Sequence, residues 1–209
     1  MTFPKEFKEA IQNLPSAEKD KLIFRLLKHD LDLANRLHFE LVNTETVEER
    51  RIKMQIEVSK ATLRMSDRFY SFGYLMMDIR YLSGDISEHV RITKDKFGEA
   101  SLNIQMLIEV LKLNKIRLEN AKPNDVHKLN IYIIARVYKI LLLINALHED
   151  YLMEFSENLE ELGTLISQNP LLMKTAIKNG LNINWLQESK IPTNIVAFHK
   201  ELRSNGFLK

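Results

Sequence analysis

The chain of 209 residues carries 30 Lys and Arg against 28 Asp and Glu, a net charge of +2, with 45% hydrophobic and 28% charged residues. That balance excludes a disordered chain, and so small a net charge is no argument by itself for a nucleic-acid partner. With no cysteine, disulfides, thiolate zinc sites and cysteine nucleophiles are excluded together, and only 6 Gly and 5 Pro leave little room for turn-rich β structure.

The N-terminal MTFPKEFKEAIQNL is charged and amphipathic and lacks the apolar core of a secretory signal, so a cytoplasmic location is the default expectation. Phe7, Ile11 and Leu14 recur at helical spacing behind Pro4, which suits a first turn, and predict a helix over 4–13. Ser16 reads as the cap of a second helix, with Leu22, Ile23, Leu26 and Leu27 on one face. Asp30 then caps a third, LDLANRLHFELV, with Leu33, Leu37 and Leu41 in line. Two helices of about a dozen residues joined so tightly make an αα-hairpin, too short to stand alone.

Thr46 and Glu49 fit a capping box. Helical periodicity then runs to about Leu82, as one helix kinked near Gly73 or as two end to end. Ser83-Gly84-Asp85 predicts a stop, with Asp85 capping a short helix to about Arg91 and Thr93 opening the next. A long helix over 94–120 follows, Pro123 ends that region, and Asn124 or Asp125 is expected to cap the helix after it.

That helix is the most apolar stretch of the chain: LNIYIIARVYKILLLINAL, residues 129–147, interrupted only by Asn130, Arg136, Lys139 and Asn145. A helix apolar nearly all round belongs in a domain interior or a bilayer. A span needs roughly 20 mostly apolar residues, and each central cation costs it about 2.5–3.5 kcal/mol. The two cations therefore favour a buried core helix over about 126–147, with no membrane partner. Beyond it, a helix over 149–167, a shorter one from Pro170 to a glycine cap at Gly180, a turn at Asn184-Trp185 and a last helix over 193–204 complete the chain. Net charge is −4 over 123–169 and +4 over 170–209, an acidic face beside a basic C-terminal region.

The chemistry-bearing signals are few. No Glu-x-x-His or His-x-x-x-His pair occurs among His29, His38, His89, His127, His148 and His199, so no metal site and no cofactor is expected. There is no phosphate loop, nucleophile elbow or kinase signature, and no catalytic residue stands out. Glu154, Glu157, Glu160 and Glu161 resemble the first carboxylate pair of the all-helical nucleotide pyrophosphatases, but no Asp follows Asp150 to complete their Mg²⁺ set. Tyr132, Arg136 and Lys139 share a face of the central helix, and predict either its exposed edge or a pocket for an anionic group or acidic partner helix. Phe69, Tyr70, Phe72 and Tyr74, beside Met76, Met77 and Tyr81, form a core stripe or an interface. Lys112, Lys115, Arg117 and Lys122 make a basic edge for nucleic-acid phosphate, without the aromatics that would stack single strands.

The segment LPSAEKDKLIFRLLKHDLDLANRLHFELV resembles the opening helix pair of small uncharacterised bacterial helical proteins, which implies a cytoplasmic, helical and non-catalytic protein. The later helix pairs are similar in style to HEAT-like proteins, which hold partners on packed helix faces, though no period of about 40 residues returns.

The expectation is an all-α single domain over 1–209, a multi-helix bundle or short irregular α-solenoid around the central helix. Residues 1–43 form its hairpin subregion and 170–209 its basic helical subregion. The expected function is a non-enzymatic protein-interaction or scaffolding module. The alternatives are a nucleic-acid-associated protein using 112–122 and the basic C-terminal region, and a metal-dependent helical hydrolase using the acidic 149–161 face. Partner identity and oligomeric state stay open.

Overall fold

The computed structural model describes residues 3–209, the side chain of Glu149 excepted. The chain is all-α, with no strand among the described residues. Its helices are α1 (Lys5–Gln12), α2 (Ser16–His29), α3 (Leu31–Val42), α4 (Val47–Asp67), α5 (Phe72–Thr93) and α6 (Lys96–Leu113). There follow α7 (Lys115–Glu119), α8 (Pro123–Asn145), α9 (Leu152–Gln168), α10 (Pro170–Lys178), α11 (Asn184–Gln187) and α12 (Ile195–Ser204), with a 3-10 turn at Glu149–Tyr151 before α9. No helix is long and apolar enough to cross a membrane among the described residues. Two compact units are present: one reaches Thr44 and includes Arg91–Thr93, the other comprises Glu45–Val90 and Lys94–Lys209.

In the first unit α2 packs on α3. The turn between them is made by Asp30, whose Oδ1 accepts from the Leu33 amide at 2.9 Å as an N-cap should. Ser16 is no cap. It is the first helical residue of α2, behind Pro15, whose carbonyl accepts from the Glu18 and Lys19 amides at 3.0 Å. No residue of α1, α2 or α3 is buried.

The second unit holds the core. α6 buries residues on all sides, among them Leu102, Ile104, Met106, Leu107, Ile108, Val110 and Leu111, and packs on α4, α8 and α9. α8 shares that interior, burying Val126, Leu129, Ile133, Ile134, Val137, Tyr138, Ile140, Leu141 and Ile144, and packs on α6, α10 and α12. α9 buries Phe155, Leu159, Leu162 and Ile166 along one face.

The start of α4 carries the expected capping box, with the Glu49 amide donating to Thr46 Oγ1 and the Thr46 amide donating to the Glu49 carboxylate. α4 and α5 are separate helices, but the break lies at 68–71, with Ser71 capping α5, and not at Gly73. The expected stop at Ser83-Gly84-Asp85 does not occur, because α5 runs through it to Thr93. Leu75, Ile79, Leu82 and Ile86 stand at i, i+4, i+7 and i+11 and are all buried. Each such side chain gains about 1.5–3 kcal/mol on burial, which outweighs the roughly 1 kcal/mol a helical glycine costs.

Thr93 ends α5 and opens nothing. Lys94 takes a left-handed φ of 59°, and Asp95 caps α6 by accepting from the Gly98 amide at 2.8 Å. Arg51 of α4 grips the same carboxylate with two bonds, of 2.6 and 2.9 Å, and its guanidinium lies 4.7 Å from the Phe97 ring centroid. The helix expected over 94–120 is split at buried Asn114, whose Nδ2 donates to the Val110 carbonyl at 3.0 Å and to Ser66 Oγ at 2.9 Å. Pro123 begins α8 as its first residue after Lys122, and neither Asn124 nor Asp125 caps it. Asn169 caps α10 through the Leu172 amide, and Gly180 ends it at a φ of 72° that favours glycine.

Candidate functional site

The candidate site lies along one edge of α8. Tyr132, Arg136 and Lys139 are half-buried on one face, and they line a single cavity of about 880 Å³. Its floor is apolar, from Ile131, Ala135 and Leu142 of α8 with Met76 of α5 and Leu208. Its rim adds Lys128 one turn before Tyr132, then His127, His199 and Arg203 of α12, and Lys209. No Asp or Glu lines it. A concave apolar floor with a few placed charges is the usual form of a binding site, and this volume falls in the usual range of about 300–1,000 Å³.

The cations are ordered by their neighbours. Arg136 Nε donates to Tyr132 Oη at 2.8 Å, and its guanidinium carbon lies 5.0 Å from the centroid of the same ring. One turn of helix thus fixes the fork, because residues four apart on a helix lie side by side. The two terminal nitrogens of Arg136 meet no acceptor among the described residues. Lys139 is ion-paired with Glu99 of α6 at 2.8 Å, so its charge is partly answered already. Arg203 donates to the Leu208 carbonyl at 2.7 Å, which with the Leu208 amide bonding to Asn179 Oδ1 at 2.9 Å holds 205–209 against the groove. Burial holds the His199 imidazole below its ordinary range, and Arg203 beside it works in the same sense. His199 is therefore neutral at physiological pH.

The aromatic set divides into two pairs. Phe69 and Phe72 pack against the core edge to face, 5.1 Å apart, with Arg117 4.9 Å over Phe69. Tyr70 and Tyr74 stay exposed and pair with each other at 5.1 Å, and Met77 and Tyr81 continue their stripe along α5. The basic edge does not share one helix face, because Asn114 breaks the helix between Lys112 and Lys115. Lys112 pairs with Glu161 at 2.6 Å, Lys115 with Glu119 at 4.0 Å, and Arg117 donates to Asn114 Oδ1 at 2.9 Å, while Lys122 sits exposed before α8. On α9, Glu154, Glu157 and Glu160 are exposed, Glu161 is engaged by Lys112, and the side chain of Glu149 lies outside the described residues. No group of three or more His, Asp or Glu side chains could hold a metal ion among the described residues.

The sequence signal for Lys128 was legible, since 128, 132, 136 and 139 share a helical face. Arg203, Lys209 and His199 reach the groove only through the packing of α12 and the following turn on α8, which no spacing rule reveals. The fold is an all-α helical bundle, with this groove on its α8 edge. No protein-family model, no curated protein and no solved structure matches the chain.

Proposed function

We propose that this chain is a non-enzymatic interaction module that holds an acidic, amphipathic segment of a cytoplasmic partner protein in the groove along α8. The observation that carries this reading is Arg136. Its guanidinium is held in place by Tyr132 while its terminal nitrogens meet no acceptor among the described residues, the arrangement that a carboxylate fits with two parallel bonds. The charges around it are complementary to such a partner: Lys128, Arg203 and Lys209 share the rim, and no carboxylate side chain lines the groove. The floor from Lys128 to Leu142 runs about 21 Å at about 1.5 Å per residue, enough for four turns of a docked helix. Ile131, Ala135 and Leu142 offer its apolar side a surface.

The test is a titration with a labelled helical peptide bearing Glu on one face and Leu on the other. Arg136→Ala is expected to weaken binding roughly ten- to hundredfold, the value of a charge-assisted bond of about 1.5–3 kcal/mol. Affinity should also fall as salt rises. A peptide that binds wild type and Arg136→Ala alike overturns the reading.

A further inference from the structure

Beside the groove lies a second, smaller cavity of about 420 Å³, reached across Leu208 and bounded by α8, α10 and the turn after α12. Its cations are lysines: Lys174 and Lys178, one turn apart on α10, and Lys209, with His127 across from them on α8. No Asp or Glu lines it. The polar groups in its wall are mostly spoken for. Thr175 Oγ1 donates to the Leu171 carbonyl, Asn179 Nδ2 to the Thr175 carbonyl, and Asn179 Oδ1 accepts from the Leu208 amide.

Asn130 is the exception. It is 3% exposed, lines this cavity, and its side-chain amide makes no hydrogen bond among the described residues. The polar atoms of that side chain are open to the cavity, so a molecule seated there meets an amide that no protein group occupies. Its donors are therefore available to whatever the cavity holds.

We propose that this cavity binds a phosphate group, with Asn130 donating from the buried end and Lys174, Lys178 and Lys209 neutralising it from the mouth. Lysines supply compact point charges with rotatable donors, which suit the several oxygens of a dianion, whereas the fixed fork of Arg136 in the neighbouring groove suits a planar carboxylate. The volume takes a small phosphomonoester, with Ile131, Leu171 and Phe207 against its carbon skeleton. The site adjoins the peptide groove and shares His127, Ile131, Leu208 and Lys209 with it, but Asn130, Lys174 and Lys178 line this cavity and not the groove.

The experiment is calorimetric titration of the full chain with inorganic phosphate and with glycerol 3-phosphate at constant ionic strength. In parallel, co-sedimentation is measured with phosphatidylcholine vesicles with and without phosphatidic acid. Saturable binding of the soluble phosphates identifies a free metabolite as the source, and binding to the phosphatidic acid vesicles alone identifies a lipid headgroup; either supports the site. Lys174→Ala/Lys178→Ala, both exposed and without a fold role, should weaken binding at least about tenfold, and Asn130→Asp should abolish it. Arg136→Ala should leave it unchanged while weakening the acidic peptide, so the two sites fail separately. No saturable phosphate binding in either arm, or full affinity in the double lysine variant, overturns the proposal, as does loss of phosphate binding in Arg136→Ala.

Discussion

Single residues carry more of this molecule than their neighbours suggest. Tyr138 is wholly buried, and its hydroxyl donates to the Asn179 carbonyl at 3.1 Å, tying α8 to the end of α10. Burial drives its phenol far above the ordinary range, so it stays a donor at every accessible pH. Tyr138→Phe leaves that carbonyl without its donor, a loss of about 1–3 kcal/mol, and melting should fall by roughly 2–4 °C per kcal/mol in a thermal unfolding scan. His89 and His199 predict the acid response. Burial lowers both from the ordinary value of 6.5; at His89 Asp95 opposes this while Arg50 and Arg51 add to it, and at His199 Arg203 adds to it. The unfolded chain takes up those protons at higher pH than the folded one, so stability is full above the ordinary value and lost as pH falls through it. Melting from about pH 7.5 to about pH 5.5 should drop, and His89→Gln/His199→Gln should drop less; equal slopes would remove the histidines from the account.

At the level of helices, the instructive pair is two glycines that look alike in the sequence. A Cβ at Gly98 would lie 2.1 Å from Asp95 Oδ2, inside the cap that also anchors Arg51. A Cβ at Gly84 would meet nothing within 4 Å. Gly98→Ala should therefore break the start of α6 and cost on the order of 3–5 kcal/mol, the usual range when one side of a buried ion pair is lost. Gly84→Ala should stabilise by about 1 kcal/mol, since alanine replaces glycine inside a helix at no steric cost. Chemical denaturation of the two variants checks both signs at once. Local signals were reliable where the cap and its target lie within one turn, as at Asp30 and Thr46. They misled at Gly84 and across 94–120. There the outcome depends on Leu82 and Ile86 finding a core, and on Asn114 finding Ser66 on another helix.

Across the whole molecule, burial is unequal. The unit reaching Thr44 has no buried residue in its three helices, and leaves Phe7, Phe24, Leu31 and Leu41 exposed, while α6 and α8 supply much of the core of the other unit. Backbone amides in α6 and α8 should exchange with deuterium at least about tenfold more slowly than those in α1–α3 of the intact chain, because opening a helix with no buried side chain exposes little apolar surface. Equal protection would show that something covers the first unit. The periodicity of apolar residues and the caps between them were enough to determine an all-α chain, its hairpin and the cationic face of α8, because those depend on residues three or four apart. The groove was decided only by the tertiary structure. Arg203 and Lys209 lie some seventy residues from Tyr132 in sequence, and line one groove with it because α12, which buries Ile195 and Leu202, packs on α8.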